Sequence, residues 1–423
     1  MGGFAVGFPI VIRLYSARYL LSRVGLLLEG GGVCVQEGRI VELLGNPAAV
    51  RSRAGESSVE WHDLGDVVLT PGLVNAHAHL ELGWAKGLLS GDAGFADWVV
   101  ELIRARRDVT PEDEVAALIS GANRLLETGT TTVGDIDASG ARLRMDPHEQ
   151  ARGPFVLHLP EVLDGGDPTR SEAALERLRG IEDNILQLRP GLSPHAPFTV
   201  SPGLLRSCAA YANSRELAVQ VHWAESEEER LWLLQGEGPF AGPLGNSPRQ
   251  SGLQLLDQAG LLGRRTSLVH ANLPESGDHE RVASSGASIV HCPGTHAFFG
   301  RDPFQWQDWL KLSVPLALGT DSLASNADLD LRREMSLARD AAPDLDPEVL
   351  WKAATEGGAR ALCLETEVGA LAPGLRADFA LFDLGGDLPS GTPSAQYRSL
   401  LESLTSGEGN CRGVPAAASV SRP

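Results

Sequence analysis

The sequence predicts an α/β protein built around a parallel (β/α)8 barrel of the TIM type, with a small β-sandwich domain attached. Short apolar runs alternate with helical stretches through the middle of the chain, and polar residues collect at the carboxyl ends of these runs, where such barrels place their active sites. Strand-rich segments at both chain ends predict the second domain. We therefore expect the barrel over 70–364 and a composite β-domain over 1–69 and 365–423.

The two chain ends are predicted to form strands of the small domain. The stretch "GVCVQEGRIVEL" (32–43) has two β-rich arms around Glu-Gly, which is typical of a hairpin. The apolar run 2–12 lacks a leading positive cluster and a cleavage site, so we predict neither a signal peptide nor a membrane span. Segment 367–384 is strand-like and is expected to pair with the N-terminal strands, whereas the Gly- and Ser-rich tail from about 405 is expected to be irregular.

Eight apolar runs supply the predicted barrel strands. Val, Leu and Ile dominate them, as expected for strands covered on both faces. The runs are 73–79, 130–137, 154–162, 188–196, 217–225, 266–272, 287–293 and 314–321. A helix is predicted over 110–129. Thr110 fits its N-cap and Pro111 its first position, and Gly129 can end it.

Composition and charge narrow the classes of partner. A formal net charge of -19 argues against nucleic acid or an anionic membrane surface as a partner. The five cysteines are scattered and have no CxxC spacing, which favours a reducing cytoplasm over a disulfide framework or a thiolate zinc site. We therefore expect a cytoplasmic protein whose partner is neither nucleic acid nor an anionic membrane. The assembly state stays open, with a homodimer as one option.

The first predicted barrel strand ends in two histidines separated by one residue. Alternate residues of a strand share a face, so His77 and His79 can both point at one metal ion. Two merely solvated rings would show the same spacing. A metal site is favoured because polar side chains also close most of the other predicted strands. These side chains are Asp135, His195, His222, His270, His291 and Asp321.

Five segments together resemble the amidohydrolase superfamily, in the branch that holds cyclic-amidine deaminases and chlorohydrolases. They are "PGLVNAHAHLEL", "VHWAESEEE", "LVHANL", "HCPGTHAFFG" and "LGTDSLASNADLDLRREM". Any one motif is weak, but the ordered set is highly specific and the resemblance covers nearly the whole chain. It implies a metal-dependent hydrolase, and first of all a deaminase that replaces a ring amine of a purine-like heterocycle.

The resemblance also implies the reactive groups. The implied metal ligands are His77, His79, His222 and Asp321. Glu225 matches the carboxylate that moves protons between the nucleophilic water and the leaving amine, with a solvated acidic residue as its plain alternative. His270 matches a histidine beside that water, with a buried core histidine as its alternative, and Asp321 could also take a proton from the water.

A single metal ion is expected. Binuclear relatives commonly bridge two metals with a carboxylated lysine on the fourth strand, and this chain has no lysine between Lys86 and Lys311. One divalent ion with an open position for water therefore follows. Zn²⁺ suits the nitrogen and oxygen ligands, and Fe²⁺ accepts the same ligand types.

Substrate contacts are implied less directly. The side chains concerned are His195, Trp98, His291, His296 and Glu81. His195 resembles the substrate-contacting histidine of nucleoside-type deaminases, and Trp98 lies where such enzymes hold an aromatic ring against the heterocycle; buried core positions are the alternatives for both. Glu81 is either a structural acid at the barrel rim or a contact with substrate, and Asp135 is expected to be structural.

Two segments point to a substrate class. Residues 233–263 and "NAHAHLELGWAKGLL" resemble the group that includes aminodeoxyfutalosine deaminases. Methylthioadenosine and S-adenosylhomocysteine deaminases hold ribose hydroxyls with a glutamate, but here Arg107 falls near that position and Glu101 is displaced from it. We therefore expect an adenine derivative such as aminodeoxyfutalosine. Chlorohydrolysis, cyclic amide hydrolysis at the same site, and a catalytically silent structural relative are the alternatives.

Overall fold

A computed structural model describes residues 11–182, 189–383, 386, 388 and 392–415. Its strands are β1 (Ile12–Ser16), β2 (Tyr19–Arg23), β3 (Leu26–Glu29), β4 (Gly32–Gln36), β5 (Arg39–Leu44), β6 (Val59–Asp63), β7 (Val68–Pro71), β8 (Leu73–Ala78), β9 (Thr130–Asp137), β10 (Phe155–Val162), β11 (Arg189–Pro194), β12 (Ala218–Trp223), β13 (Thr266–His270), β14 (Ser288–His291), β15 (Leu316–Leu318), β16 (Phe379–Phe382) and β17 (Cys411–Val414). Each of the eight runs predicted to form the barrel contains one of the strands β8 to β15.

The helices largely connect these strands. They are α1 (Pro47–Ala54), α2 (Phe95–Ala105), α3 (Pro111–Glu127), α4 (Ala141–Arg144), α5 (Pro147–Arg152), α6 (Ser171–Glu182), α7 (Pro202–Arg215), α8 (Glu227–Gln235), α9 (Gly252–Ala259), α10 (Asp278–Ser285), α11 (Pro293–Phe298), α12 (Trp306–Lys311), α13 (Leu331–Ala341), α14 (Pro347–Ala353), α15 (Glu356–Ala361) and α16 (Pro393–Leu404). Short 3₁₀ turns occupy Leu80–Ala85, Arg106–Asp108 and Pro168–Arg170.

Strands β8 to β15 form one parallel sheet in sequential order, as the sequence predicts. A parallel bridge between Ala78 and Asp321 links the first strand to the residues that follow the last, and so brings the sheet round into a barrel. Every residue of β8 and β9 is buried, because the barrel interior covers one face and helices cover the other. The predicted fold is confirmed.

Local sequence signals set the ends of α3. The Thr110 side chain accepts from the backbone N–H of Asp113, and the Asp113 carboxylate accepts from the N–H of Thr110, which completes a capping box. Pro111 is the first helical residue, and Gly129 follows the helix with a φ of 85°. These features agree with the predicted start and end of this helix.

Two small sheets lie outside the barrel. One has the order β5-β4-β1-β6 and the other the order β17-β16-β7-β2-β3. The predicted hairpin is formed by β4 and β5, whose two-residue turn has positive φ at Glu37 and Gly38. The predicted pairing of the chain ends is also observed, because β16 runs antiparallel to β7. Val33 of the first sheet and Phe379 of the second share one buried cluster, so the sheets pack face to face.

The C-terminal segment corrects one prediction. Residues from about 405 were expected to be irregular, yet β17 pairs antiparallel with β16 at the edge of the five-stranded sheet. The hydrogen bonds of a neighbouring strand impose this structure on a sequence without apolar alternation. Residues 416–423 lie outside the described residues. The predicted domain boundary at 69/70 falls inside β7, and the division into two domains stays a prediction.

The structure can be compared with two expectations, one about the cysteines and one about membrane spans. All five cysteines are free thiols. Among the described residues, no helix combines the length and apolar character that crossing a membrane requires.

Candidate active site

Four predicted side chains converge at the carboxyl end of the barrel. His77 lies in β8 and His79 directly after it, while His222 lies in β12 and Asp321 follows β15. The Nε2 atoms of His79 and His222 are 3.2 Å apart. Asp321 Oδ1 lies 3.7 Å from Nε2 of His77 and 3.7 Å from Nε2 of His79. Ligand atoms of His77, His79 and His222 lie within 4.8 Å of one another, and so do those of His77, His270 and Asp321, so the predicted ligands meet at one end of the barrel.

Hydrogen bonds fix which nitrogen of each ring faces that point. His77 Nδ1 donates to Gln220 Oε1 at 2.7 Å, and the Gln220 amide in turn donates to the Ala76 carbonyl. His222 Nδ1 donates to the His195 carbonyl at 2.8 Å. In a neutral ring the other nitrogen then carries the lone pair, so both Nε2 atoms are set up as metal ligands. His77 Nε2 is buried and has no hydrogen-bond partner among the described residues.

The charges of the cluster suit a cation. Burial lowers the pKa of His222 to about 3, and burial together with His77 holds the pKa of His79 well below its ordinary value. Burial alone would raise the pKa of Asp321, but the nearby imidazoles, that of His77 first, hold it well below the ordinary range. Imidazole nitrogens and a carboxylate oxygen are donors that suit a divalent ion such as Zn²⁺.

The backbone is strained where the strands end at this site. Ala224, His270, Ala271 and Asp321 all have positive φ, from 50° to 77°, a region that residues other than glycine rarely adopt. Such strain persists only where surrounding contacts hold it, and it is common at functional sites. Here the N–H of Ala271 donates to Trp223 and that of Asp321 to His77. Gly319 is also required, because a Cβ there would lie 2.8 Å from the His77 Cβ.

Glu225 lies beside His270 in a buried position. Its Oε2 is 3.6 Å from His270 Nε2, and its Oε1 accepts from Arg301 Nη2 at 3.1 Å. Glu229 accepts from the Glu225 N–H, and Asn272 donates to the Glu225 carbonyl. Only 9% of the Glu225 side chain is exposed, so it is not part of the solvated face of α8. Burial keeps the pKa of His270 well below its ordinary value, so this ring is neutral.

The predicted substrate contacts fall into two groups. His195 and Trp98 are part-exposed: the Thr199 hydroxyl lies against His195 Nδ1, and Trp98 stacks on Phe95 and donates to the Ala324 carbonyl. Burial lowers the pKa of His195 to about 4. The second group, His291, His296 and Glu81, is buried among protein partners. A role in substrate binding stays a prediction for all five.

Protein groups take up the polar atoms of His296 and Glu81, whereas His291 Nδ1 is buried without a hydrogen-bond partner among the described residues. His291 stacks on Phe304 with ring centroids 4.1 Å apart. His296 bonds Asn272 Oδ1 through one ring nitrogen and the Asp302 carbonyl through the other. The Glu81 carboxylate accepts from the N–H groups of Ala138 and Ser139 and pairs with Arg106 at 3.1 Å. Burial, with Asp137 nearby, raises the pKa of Glu81 to about 8.

Asp135 is held by other groups of the protein. Asp135 forms a buried ion pair with Arg142 at 2.6 Å and accepts from the Leu80 N–H, in agreement with a structural role.

The sequence did not single out Gln220, Arg301 or Glu161. Gln220 is two residues before His222 in the same strand and therefore shares its face, a signal that could have been used. No comparable signal marks Arg301, which follows α11 in a loop.

Comparison with known proteins is consistent with this arrangement. A family model described as "Amidohydrolase family" matches residues 68–411. The aminodeoxyfutalosine deaminase of Deinococcus radiodurans is 32% identical over 372 residues, which cover 82% of this chain and 85% of that protein. A 5-methylthioadenosine/S-adenosylhomocysteine deaminase of Nitratidesulfovibrio vulgaris is 28% identical, with 85% and 80% covered.

Solved structures share the fold. An adenosine deaminase from Xanthomonas campestris with bound zinc superimposes with a TM-score of 0.79 at 25% identity, covering 94% of this chain and 89% of its own. The atrazine chlorohydrolase of Arthrobacter aurescens, complexed with zinc, gives a TM-score of 0.77 at 19% identity, with 91% of each chain covered. At that identity the second similarity describes the fold alone.

Proposed function

The chain belongs to the amidohydrolase family, and from that premise we propose that it is a metal-dependent deaminase acting on a purine-like heterocycle. The observation that carries the proposal is the clustering of His77, His79, His222 and Asp321 at one end of the barrel, with the buried carboxylate of Glu225 beside His270 of the same cluster. The relatives named as aminodeoxyfutalosine and adenosine-type deaminases support a substrate that carries an adenine ring. Aminodeoxyfutalosine is the substrate that we propose first.

The four ligands would hold one divalent ion. Such an ion supplies a Lewis acid that makes water nucleophilic at neutral pH. Zn²⁺ is proposed because three imidazole nitrogens and one carboxylate oxygen match its preferred donors, and the bound zinc of the Xanthomonas campestris structure supports the choice. Fe²⁺ accepts the same donors, so iron content should be measured together with zinc content.

The protein groups around this position provide the proton transfers. Water adds to the ring carbon that bears the amine, the carbon–nitrogen bond breaks, and ammonia leaves as the ring carbon becomes a carbonyl. In this proposal Asp321 accepts a proton from the water, and Glu225, buried beside His270, passes one to the substrate nitrogen. Neutral His270, 3.6 Å from Glu225, can donate a hydrogen bond to the developing oxygen anion.

The proposed partner and location of the protein are supported by its charge and its thiols. A small heterocyclic molecule is the proposed partner, and the net charge of -19 supports the exclusion of nucleic acid and anionic membranes. The five free thiols support a cytoplasmic location. A homodimer stays a prediction. The alternative of a catalytically silent relative is disfavoured, because such proteins usually lack metal ligands and all four are present here.

Ammonia release from the zinc-loaded protein tests the proposal. The panel contains adenine, guanine and cytosine nucleosides, aminodeoxyfutalosine, a chlorinated triazine and a cyclic amide. We expect ammonia from at least one adenine derivative, with aminodeoxyfutalosine turned over fastest. Chloride release from the triazine or ring opening of the amide, without ammonia from any aminated ring, would replace the deaminase by one of the two hydrolase alternatives.

A further inference from the structure

A second cluster of ligand atoms lies next to the four described above. Glu161 is near the carboxyl end of β10, and His195 directly follows β11, the neighbouring strand. Glu161 Oε1 and His195 Nε2 are 3.9 Å apart. One ligand atom each of Glu161, His195 and His222 lies within 4.8 Å of the others. The pair therefore adjoins the first cluster through His222.

The Glu161 carboxylate is buried, and one of its oxygens has no hydrogen-bond donor. The residue is 8% exposed, and its Oε1 has no hydrogen-bond partner among the described residues. Among the described residues, Arg177 donates to the backbone carbonyl of Glu161 and not to its carboxylate. A buried carboxylate costs several kcal/mol unless a donor or a cation compensates its charge. A group absent from the protein chain is therefore expected at this carboxylate.

Hydrogen bonds orient His195 in the same way as the two ligand histidines. When the Thr199 hydroxyl donates to the Ala196 carbonyl at 3.2 Å, it accepts from His195 Nδ1. The lone pair of the neutral ring is then on Nε2, facing Glu161. Two acceptors thus face each other across 3.9 Å. A single hydroxyl hydrogen cannot satisfy both, whereas a cation can.

We propose that Glu161 and His195 form a second, weaker position for a divalent cation beside the catalytic one. His222 Nδ1 is bound to the His195 carbonyl, so its single free nitrogen, Nε2, cannot ligate two ions. With His222 committed to the first ion, the second has two protein ligands and water, which makes it the weaker. It fills only when metal is in excess of one equivalent per chain.

Occupancy of this position has a consequence for activity that rests on the proposed function. His195 is the part-exposed histidine predicted to contact substrate, with 28% of its side chain accessible. An ion on its Nε2 removes that nitrogen from substrate binding. Excess Zn²⁺ therefore inhibits the loaded enzyme in competition with substrate, and it raises KM rather than lowering kcat.

Metal binding itself tests the inference, independently of any activity. The apo protein is titrated with Co²⁺, followed by visible absorption and calorimetry, for wild type, Glu161→Gln and Glu172→Gln. Glu172 is a matched control, since its exposed side chain pairs with Arg179 at the surface. We expect two binding events in wild type and Glu172→Gln, the second at least about tenfold weaker, and only the tight event in Glu161→Gln.

Anomalous diffraction from wild-type crystals soaked in excess Zn²⁺ does not depend on how the variant folds. A peak between Glu161 and His195 is expected. A single binding event in wild type, two in Glu161→Gln, or a second peak elsewhere would overturn the inference. So would a Glu161→Gln variant with unchanged metal binding and a raised KM, which would assign Glu161 to the substrate. Two binding events in a protein that releases no ammonia would instead overturn only the proposed function.

Discussion

Gln220 accepts a hydrogen bond from Nδ1 of His77 at 2.7 Å, across the interior of the barrel. The two residues stand on β12 and β8, four places apart in the sheet. The orientation of the Gln220 amide is itself fixed, because its NH₂ group donates to the Ala76 carbonyl. Gln220 thus decides which nitrogen of His77 carries the lone pair, without touching the metal position itself.

Replacing Gln220 by leucine is expected to weaken metal binding. The His77 ring loses the acceptor that fixes its tautomer, and loss of such a partner typically costs about 10- to 100-fold in metal affinity. Competition with a chelator of known affinity measures the change. Gln220→Glu, which keeps an acceptor for Nδ1, should retain more affinity than the leucine variant. Equal affinities for Gln220→Leu and wild type would show that His77 needs no such support.

His79→Ala is expected to lose both the metal and the activity. The Nε2 atom of His79 faces His222 and Asp321, so its removal leaves three ligands for an ion that normally has four protein or water donors around it. Metal content by mass spectrometry and ammonia release are measured together. His148→Ala, on an exposed position of α5, is the control and should match wild type. An active His79→Ala protein would mean that the reaction occurs elsewhere.

Glu225→Gln should separate metal binding from turnover. The amide keeps the size of the side chain but cannot accept and release a proton, and loss of such a group typically lowers the rate by about 10²- to 10⁴-fold. The metal content should be unchanged because Glu225 is not among the four ligands. Glu227→Gln, at an exposed position in α8, serves as the control. An unaffected kcat would exclude Glu225 from the proton transfers.

Arg301→Met is expected to lower kcat through Glu225. The guanidinium holds Oε1 at 3.1 Å and is itself packed over the ring of Phe299, so it keeps the carboxylate pointing in one direction. Loss of a hydrogen bond to a charged group is worth about 1.5–3 kcal/mol, or roughly 10- to 100-fold in rate if it is felt in the transition state. Metal content should not change.

Two comparisons make the Arg301 result specific. Arg301→Lys should recover part of the lost rate, since lysine supplies a charge but not the planar pair of donors. Arg230→Met removes an arginine whose partners, Glu227 and Glu275, are part-exposed, and it should leave the rate unchanged. A rate loss of the same size in Arg230→Met would point to a general effect of charge and not to the contact with Glu225.

The order of the barrel strands and the HxH pair at the end of the first one could be recognised because their signals are local. A strand buried on both faces needs a continuous apolar run, and an HxH pair on such a strand needs only the two-residue repeat. His77 and His79 are therefore visible in the sequence itself. The helix cap at Thr110 is equally local, because its partners lie within three residues.

The residues that the sequence did not reveal contact partners that lie far from them along the chain. Gln220 contacts His77 from 143 positions away, and Arg301 contacts Glu225 from 76 positions away. Neither pair is marked by a motif, since only folding brings the two side chains together. The same reason explains β17: its strand conformation depends on the edge of β16 and not on the composition of residues 411–414.

The central claim is that one metal ion, held by His77, His79, His222 and Asp321, makes this protein a deaminase. The most direct measurement is a Zn²⁺ titration of the apo protein in which ammonia release from aminodeoxyfutalosine is followed at each addition. The account predicts no activity without metal and a linear rise that ends at one equivalent per chain. Full activity in the apo protein, or a linear rise that continues to two equivalents, would contradict it.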